Sequence, residues 1–101
     1  MKLTDQHFHG FDWDPANEAK ILAKHGLDRE RVERFFGRDL EFRSDQAHSV
    51  EELRYMAAGP DDDGKPMLVV FTFRLKNGLL RIRPISARRM HVKEMERHGQ
   101  D

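Results

Sequence analysis

The feature that most constrains this chain is the apolar run from Met67 to Phe73, rich in Val and Phe, which is followed by Asn77-Gly78 and then by a second apolar series. The run suits a central strand buried on both faces. Asn-Gly is the preferred two-residue signal for a type I′ hairpin, because both turn residues need positive φ. Leu80, Ile82 and Ile85 continue beyond the turn as a fourth strand, and Arg81 and Arg83 alternate onto its other face. Pro84 cannot donate to a sheet ladder, so this strand is expected to lie at an edge or to carry a bulge there.

The segments before the hairpin supply what it packs against. Asp14-Pro15 opens a first helix: Asp caps free N–H groups and Pro suits the first helical position. Ala19, Ile21, Leu22 and Ala23 give it apolar surface, and Gly26 stops it. Asp28 opens a second helix, with Val32, Phe35 and Phe36 at helical spacing and Gly37 at its end. The two should form a helical hairpin. Leu40, Phe42 and Ser44 then alternate as a first strand, Asp45 to Ser49 reads as a loop, and Leu53, Tyr55 and Ala57 form a second strand. Gly59 to Gly64 is a turn. Ser86 caps an expected last helix over Ala87 to His98, and residues 1–10 are expected to be irregular. The fold class is therefore α+β: two N-terminal helices, a four-stranded antiparallel sheet and a C-terminal helix, in one domain over residues 1–101.

The sequence has 101 residues and no cysteine, which removes disulfide and thiolate chemistry. No signal-peptide pattern opens it, and the Met67 to Phe73 run is too short to span a bilayer, so the expectation is a soluble, cytoplasmic protein with no membrane partner. The formal net charge is zero but unevenly placed. Met1 to Asp63 holds nine Lys/Arg against fifteen Asp/Glu, whereas Gly64 to Asp101 holds nine against three. Between Arg74 and Lys93 there are seven basic residues and no acidic one, which points to an anionic partner for the C-terminal half.

Strand alternation places Arg81 and Arg83 together, and Arg54 beside Leu53 and Tyr55 in the same manner. If the apolar faces pack on the helices, these guanidinium groups gather on the open face, where like charges repel unless an anion sits among them. Arg88 and Arg89, at the expected start of the last helix, are suited to phosphate. A second candidate segment runs from Asp45 to Arg54 and brings His48, Glu51 and Glu52 to the beginning of a strand. Histidine titrates near neutrality and glutamate can act as base or orient it. His7 and His9, with Asp12 and Asp14 nearby, have metal-ligand types, but no second cluster completes a known spacing, so no metal site is assigned. His25, at a helix end, suits the last carbonyls. No Gly-rich phosphate loop or other cofactor motif occurs, and no cofactor is expected.

Several of these segments, in order, resemble the BrnT toxin family. They are Phe11-Asp12-Trp13-Asp14-Pro15 with Asn17, Lys20 and Lys24-His25-Gly26, then Asp45 to Tyr55, then Phe71-Thr72, Arg81-Ile82-Arg83 and Ile85-Ser86-Ala87-Arg88-Arg89. The likeness covers roughly Phe11 to His98. It departs at Pro84, where an aliphatic residue is expected, at His98, where the last helix often ends in Tyr, and in the length before Phe11. The resemblance implies a RelE-like fold with its active site on the open sheet face. It also implies a type II toxin–antitoxin pair, in which a BrnA-like ribbon-helix-helix antitoxin blocks the toxin and binds its own promoter, so that DNA is met only through the complex. Arg54, Arg81, Arg83 and Arg88 carry across as site residues, with His48 and Glu52 as weaker ones.

The expected activity is metal-independent RNA cleavage by the substrate's own 2′-hydroxyl. Arg54, Arg81 and Arg83 would stabilise charge on phosphorus, and Arg88 and Arg89 would hold neighbouring phosphates. Glu52, His48 or His98 would move the protons. The alternative is a non-catalytic module in which the same arginines hold an antitoxin or nucleic acid.

Overall fold

The computed structural model describes residues 2–3, 8–38, 40–45, 52–91, 93–94 and 96–97. Helix α1 spans Pro15–His25 and α2 spans Arg29–Phe35. The Asp14 carboxylate accepts from the N–H groups of Ala16 and Asn17 at 2.8 and 3.1 Å. Gly26 ends α1 at a φ of 67°, a conformation that favours glycine. Asp28 caps α2 through the Arg31 N–H at 2.9 Å. The helices are tied side by side: Trp13 Nε1–H donates to Glu33 at 2.8 Å, and Arg29 sits 5.5 Å from the Trp13 ring centroid.

The sheet contains β1 (Lys2–Leu3), β2 (Leu40–Ser44), β3 (Tyr55–Pro60), β4 (Pro66–Lys76) and β5 (Leu79–Arg89), antiparallel and in sequence order. The four expected strands are present: β2 has the expected bounds, β3 starts at Tyr55 instead of Leu53 and takes in Gly59 and Pro60 of the expected turn, and β4 and β5 run longer than their apolar residues alone suggest. One addition is β1, which pairs with β2 within a stretch expected to be irregular. Asn77 and Gly78 have φ of 52° and 76°, the conformations a type I′ turn requires, and Lys76 pairs with Leu79 across them.

The helices cover one face of the sheet. Phe35, Phe36, Val32 and Ile21 meet Met67, Val69, Phe71 and Ile82, all buried. Phe36 packs edge-on to Phe71 at 5.2 Å, and Tyr55 stacks on Phe71 at 5.7 Å. Such ring pairs add about 0.5–1.5 kcal/mol each beyond the area they bury.

One expectation at the C-terminal end is corrected and another is met. β5 does not stop at Ile85 but runs through Arg89, so Ser86 and Ala87 are strand residues and no helix starts there. The expected C-terminal helix is not shown. The register also shifts: Phe71 faces Pro84 whereas Val70 faces Ser86, which leaves Ile85 as an extra residue in β5. This is the bulge expected from Pro84, which has no N–H to give the ladder. A one-residue shift exchanges faces for everything beyond it. It turns Ala87 into the core and Arg88 to the open face. Among the described residues, no helix is long and apolar enough to cross a membrane.

Candidate active site

The open face of the sheet is set by register. Residues directly opposed on antiparallel strands share a face, so the two-residue turn at Asn77-Gly78 places Arg74 opposite Arg81 and Thr72 opposite Arg83. Their neighbours Phe73 and Ile82 point the other way, toward the helices. Arg54 lies one residue before Tyr55, which pairs with Phe71, and alternation brings it to the same open face. The approach to β3 is fixed there: the Thr72 hydroxyl donates to the Leu53 carbonyl at 2.8 Å, and the Asp45 N–H donates to the Arg54 carbonyl at 2.7 Å.

The N-terminal segment completes the site from the side. Gly10 to Asp12 runs along β5, with Ile82 N–H donating to Gly10 at 3.1 Å and Asp12 N–H donating to Ile82 at 2.8 Å. That fixes the Asp12 carboxylate between two cations. It accepts from Arg83 Nη2 at 2.7 Å and from Lys76 Nζ at 2.9 Å, while the Asp12 carbonyl accepts from Arg83 Nε at 3.3 Å. The Lys76 hydrogen bond, working against the desolvation of a largely covered group and aided by Arg83, holds the Asp12 carboxyl below its ordinary pKa. Glu52 pairs with Arg74 at 2.9 Å. Arg81 differs from both arginines. It is half-buried against Gly10 and makes no ion pair among the described residues; its Nε, like that of Arg74, is buried without an acceptor. A half-buried guanidinium facing Arg74 without a carboxylate is unfavourable in isolation, and an anion bound between the strands removes the conflict.

The ribonuclease toxin family BrnT, of type II toxin–antitoxin systems, matches residues 13–94 by its family model. The chain belongs to the BrnT family. Its family is thus one of ribonuclease toxins, which implies an RNA substrate and an antitoxin partner. A search of curated proteins gives no match.

In this BrnT toxin the residues expected at the site fall into four groups. Arg54, Arg81 and Arg83 share the open face, and Glu52 stands beside them on Arg74. Arg88 is on the same face but further along, opposite Leu68, with its fork filled by Glu94 at 2.7 and 3.0 Å. Arg89 is turned to the helix side, where its Nη1 donates to the buried Asp61 at 2.6 Å, because the bulge reverses the face of each residue after Ile85. His48 and His98 lie outside the described residues. Asp14, weighed as a metal ligand, caps α1, and Asp12 holds Arg83 and Lys76.

Sequence reasoning did not place Arg74 or Lys76 in the site, and it weighed Asp12 only as a metal-ligand type. For Arg74 and Lys76 the signal was present: a two-residue turn at Asn77-Gly78 fixes the pairing of Lys76 with Leu79 and of Arg74 with Arg81. No local pattern assigns Asp12 to Arg83, since 71 positions separate them.

Proposed function

We propose that this toxin cleaves RNA without a metal, through attack of the 2′-hydroxyl on the adjacent phosphorus, and thereby stops translation and growth. Loss of the 2′-proton, departure of the 5′-oxygen and its protonation leave a 2′,3′-cyclic phosphate and a 5′-hydroxyl. Arg81 carries the reading: it is the guanidinium that faces Arg74 with no carboxylate of its own among the described residues. In the complex the scissile phosphate supplies the missing anion. Arg83, aimed by Asp12, and Arg54 complete the cradle, and guanidinium forks suit the equatorial oxygens of a developing phosphorane. Glu52 or His48 moves the proton at one end of the reaction, and His98 is a candidate at the other. Guanidinium groups supply at phosphorus the positive charge that other nucleases take from a divalent ion. A BrnA-like antitoxin in the cytoplasm neutralises the toxin and carries the pair to its promoter.

The test is cleavage of a defined RNA by the purified protein in EDTA. Expected is a cyclic phosphate product, lost in Arg83→Ala while circular dichroism and melting stay unchanged. A strict requirement for a divalent ion overturns the mechanism. RNA binding without cleavage, with normal growth on expression, moves the chain to the non-catalytic class.

A further inference from the structure

The far end of the open face carries a feature that the cleavage scheme leaves unused. A pocket of about 590 Å³ lies between the sheet and the segment that follows β5. Its floor is apolar: Met56 and Leu68 from β3 and β4, with Met90. Its rim is cationic, with Arg43, Lys93 and Arg97 around the Arg88–Glu94 pair. We propose that this groove seats an acidic, amphipathic segment of the partner antitoxin. Aliphatic side chains of that segment fill the floor, and one of its carboxylates replaces Glu94 on Arg88.

Four observations converge on that occupant. The volume falls within the range of about 300–1,000 Å³ typical of ligand clefts. Methionine floors adapt to varied aliphatic partners and recur at peptide-binding surfaces. Among the described residues no Phe, Tyr or Trp lines the groove and His91 is its one ring, whereas single-stranded RNA is held largely by successive bases stacked on several such rings. Finally, the site already holds a carboxylate. Glu94 engages both terminal nitrogens of Arg88, at 2.7 and 3.0 Å, the fork geometry that selects carboxylates. Glu94 is thus an internal stand-in for the partner's acid. Leu68 lies four residues along β4 from Thr72, a distance of about 13 Å at ordinary strand rise. A segment seated here therefore extends over the arginine cluster and covers it. The proposal takes from the toxin reading only the existence of an antitoxin, which the family supplies.

The experiment measures the Kd of the full chain for the purified product of its neighbouring antitoxin gene, by calorimetry, and RNA cleavage in parallel. Two variants are used: Lys93→Glu with Arg97→Glu, both exposed, and Glu94→Gln. Charge reversal at the rim should weaken binding about thirtyfold, mostly through the association rate and less so at high salt. Glu94→Gln removes the internal competitor and should tighten binding about threefold or more; a purely structural Glu94 gives the opposite sign. RNA cleavage should be unchanged in both. An unchanged Kd in both variants, or weaker binding in Glu94→Gln, overturns the proposal. Loss of cleavage with an unchanged Kd gives the groove to RNA instead. Failure of the cleavage scheme is separable: the wild type is then inactive while both shifts in Kd persist.

Discussion

Two arginine-rich regions of this molecule use the same side chain to opposite ends. Around the β3–β4 turn, Arg31, Arg34 and Arg89 meet Asp61, Asp62 and Asp63. Arg89 and Arg31 reach the buried Asp61 at 2.6 and 3.0 Å, Arg34 reaches Asp62 at 2.7 Å, and Arg31 reaches Asp63 at 2.8 Å. Asp61 also accepts from the N–H groups of Asp63 and Lys65, both at 2.9 Å. Each arginine there has a carboxylate, and the network fastens α2 and the end of β5 to the turn. On the open face, Arg81 stands opposite Arg74 without one among the described residues. Saturated charge holds a fold together, whereas unsaturated charge that the fold tolerates marks a place for an outside anion. An acidic trio such as Asp61 to Asp63 has metal-ligand spacing, yet its carboxylates are taken by arginines.

The comparison predicts a double dissociation. Arg81→Ala should lower RNA cleavage about 10²–10³-fold, the loss typical of removing one donor to a developing oxyanion. Its melting temperature should move little, since the change relieves a like-charge pair and removes a buried Nε that has no acceptor. Asp61→Asn should do the reverse. It strips a fully covered carboxylate from two arginines and two amides, a loss of about 3 kcal/mol, reduced from the full cost of a buried pair because the arginines are partly solvated. Cleavage per folded molecule should persist. Single-turnover kinetics and urea unfolding of both variants decide the matter. Should Arg81→Ala melt early with activity intact, the two regions have been assigned the wrong way round.

Much of this was legible in the sequence because its signals are local. Asp14-Pro15 and Gly26 bound α1, and Asn77-Gly78 fixes a hairpin whose pairing follows by counting. The open-face arginines follow from the same counting. What escaped depends on longer range. Pro84 announces a bulge but not which residue is extra, and that choice of Ile85 decides that Arg88 faces outward and Arg89 meets Asp61. Ser86 reads locally as a helix cap, yet pairing with Val70 makes it a strand residue. The place of Asp12 depends on the N-terminal segment lying along β5, a contact that no periodicity encodes.

Asp12 sharpens the comparison from within the open face, because it is the carboxylate that Arg81 lacks and Arg83 has. It touches no substrate in the scheme above and acts by aiming Arg83. Asp12→Asn keeps the backbone contacts and the shape but loses the charge. The turnover rate should fall about tenfold as Arg83 loses its aim. KM should stay level or fall, since one more net positive charge on the face attracts RNA. A rise in turnover would make Asp12 a competitor for the phosphate site. A rise in KM alone would make it a binding residue.

The smallest effect tests the saturated region by pH. Arg89, the two backbone amides and Arg31 outweigh the desolvation of Asp61 and hold its carboxyl far below the ordinary carboxylate range. A depressed pKa in the folded state means stability that is fully present above the unfolded value, about 3.9 for Asp, and lost as pH falls below it. The difference in unfolding free energy between the wild type and Asp61→Asn should thus be constant from pH 8 to about 5. Below about pH 4 it should shrink by up to about 1.4 kcal/mol per pH unit. Asp12 and Glu94, which share no partner with Asp61 among the described residues, titrate alike in both proteins and cancel in the difference. A gap that stays constant down to pH 3 would mean that the amide replaces the carboxylate in geometry alone. The β3–β4 turn would then be held by hydrogen bonds and not by the charge that separates it from the open face.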